Sequence, residues 1–380
     1  MFLRRALFQV HLWLGLLFGL YLVVVSVTGA ALVFRIDMQR AMHPGLFTPA
    51  GGPPAEPAAI MESVRQAFPD GRVSGIDAPT TVRPTYLAYV VRGDRFLTIL
   101  VDPASARVLG ELPEDSLVRT VQELHFDLLA GRTGRIVNGA GAAALLLLCL
   151  TGMVIWWPGL ANWPRGLTLD FSRSWRRINW DLHSAAGFWT AALLAMWAVT
   201  GLYFAFPSQF RAAVNTLSPI TVARTPTSDP AAPRPAVPPT WASLIERARR
   251  IVPGQHVARV VVPSNERGTF LVMFSGRAPT PAGGADLQSV YLDQFSGAVL
   301  EQPQAEGRTA GDLVMAWVAP LHDGNFGGNG VRVAWLLLGL TPALLFATGF
   351  TMWWTRVVRS RWARLRAGRP AETLSVSRAR

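Results

Sequence analysis

Four stretches of the chain are long and apolar enough to cross a lipid bilayer, and they constrain the fold more than any other feature. They cover residues 10–34, 136–157, 185–206 and 333–354. A helix needs about 20 consecutive apolar residues to span the hydrocarbon core of a membrane. Half of the 380 residues are hydrophobic and only 16% are charged, which is too apolar for an ordinary soluble enzyme. The sequence therefore predicts an α-helical membrane protein with four transmembrane helices.

The distribution of charge predicts the orientation of these helices. All 36 basic residues are arginines, and the net charge is +12. An even number of spans puts both termini on one side. If that side is cytoplasmic, it holds 14 arginines against Asp170, Asp181 and Glu372, whereas the other side holds 22 arginines and 21 acidic residues. This positive-inside pattern predicts a multi-pass protein of the bacterial inner membrane with cytoplasmic termini, and anionic membrane lipid rather than nucleic acid accounts for the basic charge.

A single cysteine, Cys149, lies in the second apolar stretch. A lone cysteine excludes disulfides within the chain, thiolate metal clusters and covalent C-x-x-C-H haem attachment. The sequence also has no P-loop, no G-x-G-x-x-G after a strand and no H-E-x-x-H motif, so no flavin or nicotinamide site is evident. Any redox centre must be held by other side chains, and its electrons must come from another molecule.

The chain contains a tandem repeat. A shift of 172 residues aligns the sequence of the first span with that of the third, and a shift of 197 aligns the second with the fourth. The shared motifs are an Arg-Arg pair before each odd span and a histidine at or just before its start, a Leu-His pair before each even span, and a Thr-Gly pair within every span. The superposed residues include His11 on His183, Thr28-Gly29 on Thr200-Gly201, His125 on His322, Arg135 on Arg332, and Thr151-Gly152 on Thr348-Gly349. These matches predict two parallel repeats of two helices each.

Each repeat has a longer segment between its two spans, and these segments also correspond. Each begins with a short amphipathic helix, at residues 58–68 and 241–251, and continues with alternating strand-like runs, at 86–91 and 269–274. Each closes on a strand that contains Asp102 or Asp293. The pattern predicts a small α+β domain outside the cytoplasm in each repeat.

These features divide the chain into eight parts. The predicted parts are transmembrane helix 1 at 8–35, a periplasmic domain at 36–120, a histidine-bearing segment with helix 2 at 121–157, a cytoplasmic loop at 158–182, helix 3 at 183–207, a second periplasmic domain at 208–318, a histidine-bearing segment with helix 4 at 319–355, and a basic cytoplasmic tail at 356–380.

The motifs together resemble those of the PepSY-associated transmembrane (PepSY-TM) family. The resemblance is carried by Arg4-Arg5 followed by His11-Leu12-Trp13-Leu14-Gly15, by the Thr-Gly and Leu-His pairs, by the Trp-Trp pair that ends each even span, and by the aspartates of the closing strands. It covers nearly the whole chain except the arginine-rich tail. The family includes iron-regulated inner-membrane proteins and ferric-siderophore reductases, so the resemblance implies PepSY-like periplasmic domains and a role in iron metabolism.

Four of the six histidines are expected to form the chemical centre. An ionisable side chain beside or within a span is costly and usually has a specific partner. Because parallel repeats are related by an axis along the membrane normal, His11 and His183 are expected to face each other near the cytoplasmic surface, and His125 and His322 near the outer surface. Two imidazoles at one depth match the axial ligands of a b-type haem, which predicts two haems. A divalent metal site and purely structural histidines are the alternatives. His43 and His256 are unpaired and are interpreted as surface or loop residues.

Arginines at the same levels are candidates for pairing with haem propionates. Arg5 and Arg177 suit the inner site, and Arg135 and Arg332 suit the outer one; the alternative is that they only anchor helix ends. A continuous helix from His125 to Trp156 would be about 46 Å long, which exceeds the hydrocarbon core of about 30 Å. We therefore expect a break at the nearby glycines, Gly131, Gly134 and the run from Gly327 to Gly330, that returns the histidines toward the membrane.

The leading functional hypothesis is an oxidoreductase that passes electrons across the membrane to a ferric siderophore in the periplasm. The donor would be a quinol or a cytoplasmic reductase. Siderophore oxygens are hard ligands that hold Fe(III) more tightly than Fe(II), so one electron releases the metal without any acid-base residue. The alternatives are an accessory permease for iron or its chelate, and a non-redox regulatory protein that binds partners through its soluble domains.

Overall fold

A computed structural model describes residues 2–113, 116–157, 167–221, 225–276, 287–301, 309–359 and 362. Within these residues, four helical stretches are long and apolar enough to cross a membrane: Phe2–Leu32, Gly131–Trp156, Trp175–Ala205 and Gly328–Val358. They coincide with the four spans that the sequence predicts. Residues 158–166 of the predicted cytoplasmic loop and residues 363–380 of the predicted tail lie outside the described residues.

The described residues contain eleven α-helices. In chain order they are α1 (Phe2–Leu32), α2 (Arg35–Met42), α3 (Pro57–Ala67), α4 (Leu117–Asp127), α5 (Gly131–Trp156), α6 (Trp175–Ala205), α7 (Pro207–Leu217), α8 (Trp241–Ile251), α9 (Ala310–Asp323), α10 (Gly328–Gly339) and α11 (Thr341–Trp353). The fourth candidate span consists of α10 and α11, which meet at Leu340, and a π-helical turn at Trp354–Val358. Pro342 explains the interruption, because proline has no N–H for the helical hydrogen bond.

The long helices form a bundle in which α5 and α11 separate α1 from α6. Helix α1 packs against α5 and α11, and α6 packs against the same two helices. Glycines bring the helices close together: a Cβ added at Gly141 of α5 would lie 2.1 Å from the ring of Tyr21, and one added at Gly19 of α1 would lie 2.1 Å from the ring of Phe346. Small residues at such contacts are the usual means of close helix packing in membranes.

The helical conformation is interrupted ahead of both even spans, as the sequence predicts. Helix α4 ends at Asp127, Leu128 adopts a left-handed conformation with φ of 55°, and α5 begins at Gly131. Helix α9 ends at Asp323 and is followed by Gly324 with φ of 71°. A left-handed residue is a common helix terminator. The break folds α4 and α9 back so that each packs against a long helix, α4 on α1 and α9 on α6.

The described strands form one antiparallel sheet. They are β1 (Arg72–Asp77), β2 (Tyr86–Arg92), β3 (Arg95–Val101), β4 (Val108–Glu111), β5 (His256–Val261), β6 (Thr269–Ser275), β7 (Leu287–Asp293) and β8 (Val299–Glu301). Their order is β4-β3-β2-β1-β5-β6-β7-β8. Helices α3 and α8 cover one face and share a core in which Ile60 and Met61 of α3 and Ala248 of α8 are fully buried.

The sequence predicts a separate soluble domain in each half, whereas the structure joins the strands of both halves at β1 and β5. Gly75 pairs with Val261, and Ile76 pairs with Val260. The difference has a physical reason: if the halves were separate, β1 and β5 would be edge strands with a row of unpaired backbone N–H and C=O groups. Such pairing depends on the approach of two backbones and leaves little trace in either segment alone.

The aspartates of the closing strands hold tight turns. Asp102 Oδ1 accepts hydrogen bonds from the backbone N–H groups of Ala104 and Ser105 at 3.0 and 2.8 Å. Asp293 Oδ1 accepts from Phe295 and Ser296 at 3.0 and 2.7 Å. Both aspartates are buried. Their place in the sequence motif is therefore explained by the turns between β3 and β4 and between β7 and β8, because an aspartate side chain readily bonds the backbone two or three residues on.

Gly75 is expected to be essential for joining the two halves of the sheet. A Cβ at this position would lie 2.4 Å from the carbonyl oxygen of Val260, a backbone atom that cannot move without parting β1 from β5. We expect Gly75→Val to lower the free energy of unfolding by about 1–3 kcal/mol, the usual cost of overpacking. The measurement is thermal unfolding in detergent. Gly45→Ala is the control, since nothing lies within 4 Å of a Cβ there; equal melting temperatures for the two variants would contradict the prediction.

Candidate functional site: two histidine pairs

The first histidine pair consists of His11 from α1 and His183 from α6. Their ring centroids are 6.4 Å apart, with the ring planes at 86°. The Nδ1 atom of His11 lies 3.0 Å from the hydroxyl oxygen of Thr151 on α5. The Nδ1 atom of His183 lies 2.9 Å from the hydroxyl oxygen of Thr348 on α11. All four long helices therefore contribute to this pair, two with a histidine and two with the threonine that holds it.

The second histidine pair consists of His125 from α4 and His322 from α9. Their ring centroids are 6.3 Å apart, with the ring planes at 50°. His125 Nδ1 lies 3.0 Å from the carbonyl oxygen of Val25 and 3.3 Å from the hydroxyl of Thr28, both on α1. His322 Nδ1 lies 2.8 Å from the hydroxyl of Thr200 on α6. The helix breaks thus insert one histidine from each short helix between the long helices.

The two pairs lie at different levels of one bundle. On α1, the residue that holds the second pair, Thr28, follows His11 by 17 residues, and on α6 Thr200 follows His183 by 17 residues. At 1.5 Å per residue, this separation is roughly 25 Å along each helix. Both levels therefore fit within the thickness of a hydrocarbon core of about 30 Å. The distance of about 46 Å that a continuous helix would impose does not arise.

A cavity of about 470 Å³ surrounds the second histidine pair. This volume is typical of a pocket for a cofactor or small molecule. Its lining is mostly apolar and includes the rings of Trp197, Phe204 and Trp335. Polar side chains besides the histidines also line it, among them Arg35, Arg135, Asn138 and Asp323. A flat apolar molecule with acidic groups would find both an aromatic interior and two guanidinium groups there.

The backbone that carries the second pair is fixed by hydrogen bonds from the long helices. Asn138 Nδ2 donates to the carbonyl oxygens of His125 and Phe126 at 2.8 and 2.9 Å. The indole N–H of Trp335 donates to the carbonyl oxygen of Leu321 at 2.8 Å. Asn138 and Trp335 occupy matching places in the two halves of the sequence, so two different side chains perform the same task.

The arginines that the sequence singles out have different surroundings. Arg135 lines the cavity. Arg332 is buried, pairs with Asp37, donates to the carbonyl oxygen of Val33 at 3.1 Å, and lies over the ring of Phe34. Its described contacts therefore tie α10 to α2, and Arg332 does not line the cavity.

The two arginines predicted for the first pair lie near the ends of the long helices. Arg177 pairs with the buried Asp181 at 2.9 Å, and its own side chain is 53% exposed. Arg5 lines a surface groove with Phe2 and Ile155 at the start of α1. A pairing of either arginine with a haem propionate stays a prediction.

The donor set at each level is two imidazoles. A metal ion bound by two histidines lies about 2 Å from each nitrogen, which puts the ring centroids about 6 Å apart. The observed separations of 6.4 and 6.3 Å match this spacing. Among the described residues, no group of three or more His, Cys, Asp or Glu side chains could hold a metal ion. Two ligands alone are too few for a divalent metal cage but suit a haem, which supplies four nitrogens of its own.

Burial keeps the second pair uncharged. Removal from water lowers the pKa of both His125 and His322 below the ordinary histidine value, and a protonated His125 lowers the pKa of His322 further. A neutral imidazole has a nitrogen lone pair, which is the form that binds a metal. The unpaired histidines differ: His256 is exposed on β5, and His43 precedes the turn at Pro44.

Sequence reasoning missed the roles of two groups of residues and of one arginine at these sites. The four threonines that hold the histidines are the threonines of the Thr-Gly pairs, which the sequence marks only as a shared motif. The glycines of three pairs have a role as well, because Cβ atoms at Gly29, Gly152 and Gly349 would lie 2.7, 3.2 and 3.2 Å from the imidazole of His125, His11 and His183. Arg35 was also missed. The residue aligned with it in the second repeat is Pro207, so the comparison of the repeats does not mark this position as shared.

Four helices able to span a membrane, a separate antiparallel sheet and two histidine pairs within the helix bundle define a multi-pass membrane protein. The chain matches the family of the PepSY-associated TM region over residues 8–356, and it therefore belongs to that family. The resemblance predicted from the motifs is confirmed. None of the curated proteins compared with the chain matches its sequence.

Proposed function

We propose that this protein is a haem-containing reductase that passes electrons across the bacterial inner membrane to a ferric siderophore in the periplasm and releases Fe(II). The observation that carries the proposal is the stack of two histidine pairs about 25 Å apart along one helix bundle. Two such sites give electrons a path between the membrane faces. A single structural or regulatory site would not require both levels.

The histidines would hold two b-type haems, His11 with His183 and His125 with His322. Each bound haem supplies a one-electron change at its iron. The chain's own residues orient the ligands, exclude water and neutralise charge. Arg35 and Arg135 are placed to pair with acidic substituents in the cavity of the second pair, since a guanidinium binds a carboxylate with two parallel hydrogen bonds.

The repeat and the charge distribution support an orientation. The shared motifs of the two halves are best explained by a tandem duplication, in which each half contributes one histidine to each pair. The 14 arginines on the side of the termini favour the cytoplasm for that side. The first pair would then face the cytoplasm, and the second pair and the sheet would face the periplasm. Electrons would enter at the first pair from a quinol or a cytoplasmic reductase.

Reduction alone would release the metal from its chelator. The chelate's Fe(III) takes one electron and becomes Fe(II), which hard siderophore oxygens hold less tightly. No bond to carbon forms or breaks, so the proposal needs no acid-base or nucleophilic residue. It also explains the lack of a nucleotide-binding motif, because the donor is a separate molecule.

Two measurements test the proposal. Protein purified in detergent from haem-replete cells should be red, with about two haems per chain and a Soret band that shifts when dithionite is added. The reduced protein should be reoxidised by a ferric hydroxamate but not by the iron-free ligand. A colourless preparation would refute the haem assignment. A haem protein that ferric chelates do not reoxidise would refute the reductase and leave transport or regulation.

A further inference from the structure

We propose that the four threonines of the Thr-Gly pairs, Thr28, Thr151, Thr200 and Thr348, are positioning residues that hold each paired histidine with its proton on Nδ1 and its Nε2 open for the metal. This inference rests on the proposed function for the identity of the metal as haem iron. The state of the histidine protons follows from the hydrogen bonds alone and does not depend on it.

The threonine hydroxyls have already used their only hydrogen. Thr151 Oγ1 donates to the carbonyl oxygen of Leu147 at 2.6 Å, one turn earlier in the same helix. The other three threonines make the same bond at 2.8 or 2.9 Å, Thr28 to Val24, Thr200 to Met196, and Thr348 to Leu344. A hydroxyl has one hydrogen and two lone pairs. Toward the histidine, each threonine oxygen is therefore an acceptor.

An acceptor beside Nδ1 requires that Nδ1 be the donor. A neutral imidazole carries one proton, so a proton on Nδ1 leaves a lone pair on Nε2. The carbonyl oxygen of Val25 beside His125 acts in the same direction, because a carbonyl can only accept. The neighbouring glycines fix which edge of the ring meets the threonine helix: the atoms nearest Gly152 and Gly349 are Cε1 and Nδ1 of His11 and His183.

A hydrogen bond to the second nitrogen of a ligating histidine also changes the metal. It makes the imidazole a stronger electron donor, which favours the oxidised iron, and loss of such a bond commonly weakens metal binding about 10- to 100-fold. The threonines are thus expected to lower the reduction potential of each haem. The same arrangement occurs at all four histidines, so a substitution at one threonine should change the reduction potential of one haem only.

The first experiment determines, in the absence of haem, which ring nitrogen of each paired histidine carries the proton. In haem-free protein labelled with ¹⁵N-histidine, His11, His125, His183 and His322 should show a protonated Nδ1 and an unprotonated Nε2. Thr151→Val should shift His11 toward the other tautomer, and Thr151→Ser, which keeps the oxygen, should restore the original state. The proton on Nε2 in the unaltered protein would overturn the proposal, as would an unchanged His11 in Thr151→Val.

The second experiment uses the haem-loaded protein. Thr151→Val should raise the reduction potential of the haem at the first pair and weaken its retention about 10- to 100-fold, while the haem at the second pair is unchanged. Thr200→Val should raise the reduction potential and weaken the retention of the haem at the second pair, while the haem at the first pair is unchanged. Thr190→Val is the matched control, since Thr190 is buried on α6 and bonds the carbonyl of Ala186 in the same way, and none of its described hydrogen bonds reaches a histidine.

The possible outcomes separate the two proposals. Equal potentials in Thr151→Val, Thr190→Val and the unaltered protein would overturn the role of the threonines and leave the reductase intact. A protein that never takes up haem would refute the reductase, and the ¹⁵N measurement would still decide the histidine protonation.

Discussion

Replacing His11 with alanine is expected to remove one haem and spare the other. The first pair would keep only His183, and one imidazole in place of two would not retain the haem. The second pair lies roughly 25 Å away along α1 and makes its contacts with other residues. The haem content should therefore fall from about two to about one per chain, as measured by pyridine haemochrome, and His125→Ala should remove the haem that His11→Ala retains.

His256→Ala is the control for this experiment. His256 is exposed at the start of β5, in the sheet and outside the helix bundle, so its removal should leave two haems. Spectra should identify which haem remains, because the ring planes of the two pairs differ, at 86° and 50°. If His11→Ala and His125→Ala lose the same haem, or if neither loses any, the assignment of ligands to two levels is wrong.

The ion pair between the buried Arg332 and the partly exposed Asp37 gives the second large expected effect, and the effect is unequal for the two partners. The Arg332 side chain is 4% exposed, whereas that of Asp37 is 41% exposed. Asp37→Leu leaves a buried guanidinium without its counter-charge, and we expect a loss of about 3–5 kcal/mol in the free energy of unfolding. Arg332→Met leaves a carboxylate that water can reach, so its cost should be lower, about 1–3 kcal/mol.

A double-mutant cycle tests this asymmetry by thermal unfolding in one detergent. The combined Asp37→Leu and Arg332→Met variant should be more stable than Asp37→Leu alone, because the buried charge is then gone as well. Arg92→Ala serves as a control, since Arg92 and Asp70 form an exposed ion pair and such pairs contribute less than about 1 kcal/mol. Additive effects of the Asp37 and Arg332 substitutions would show that the charges do not interact.

The membrane part of the fold could be predicted from the sequence because its rules are strict. A bilayer demands long apolar helices, and the four spans stand out for that reason. The break before Gly131 was predictable as well, because the distance from His125 to the end of the span was too great for one helix. The pairing of His11 with His183, and of His125 with His322, followed from the repeat.

Other features were not predictable, since they depend on contacts between distant segments. The pairing of Gly75 with Val261 uses only backbone atoms, which every sequence has. Arg332 matches Arg135 in the sequence, but only the fold shows that Asp37 and Phe34 lie beside it. The threonines were visible as a motif, but a threonine within a helix usually bonds its own backbone, and nothing in the sequence shows that it also meets a histidine.

Each histidine pair takes one residue from each half of the chain, which has a consequence for any attempt to divide the chain. His11 and His125 precede the segment at residues 158–166, and their partners His183 and His322 follow it. Neither half therefore contains a complete pair at either level. A half expressed alone could form a pair only with a second copy of itself, as a dimer whose twofold axis passes between the histidines. Covalent linkage of the halves instead allows the two sides of each pair to differ, as Asn138 and Trp335 already do.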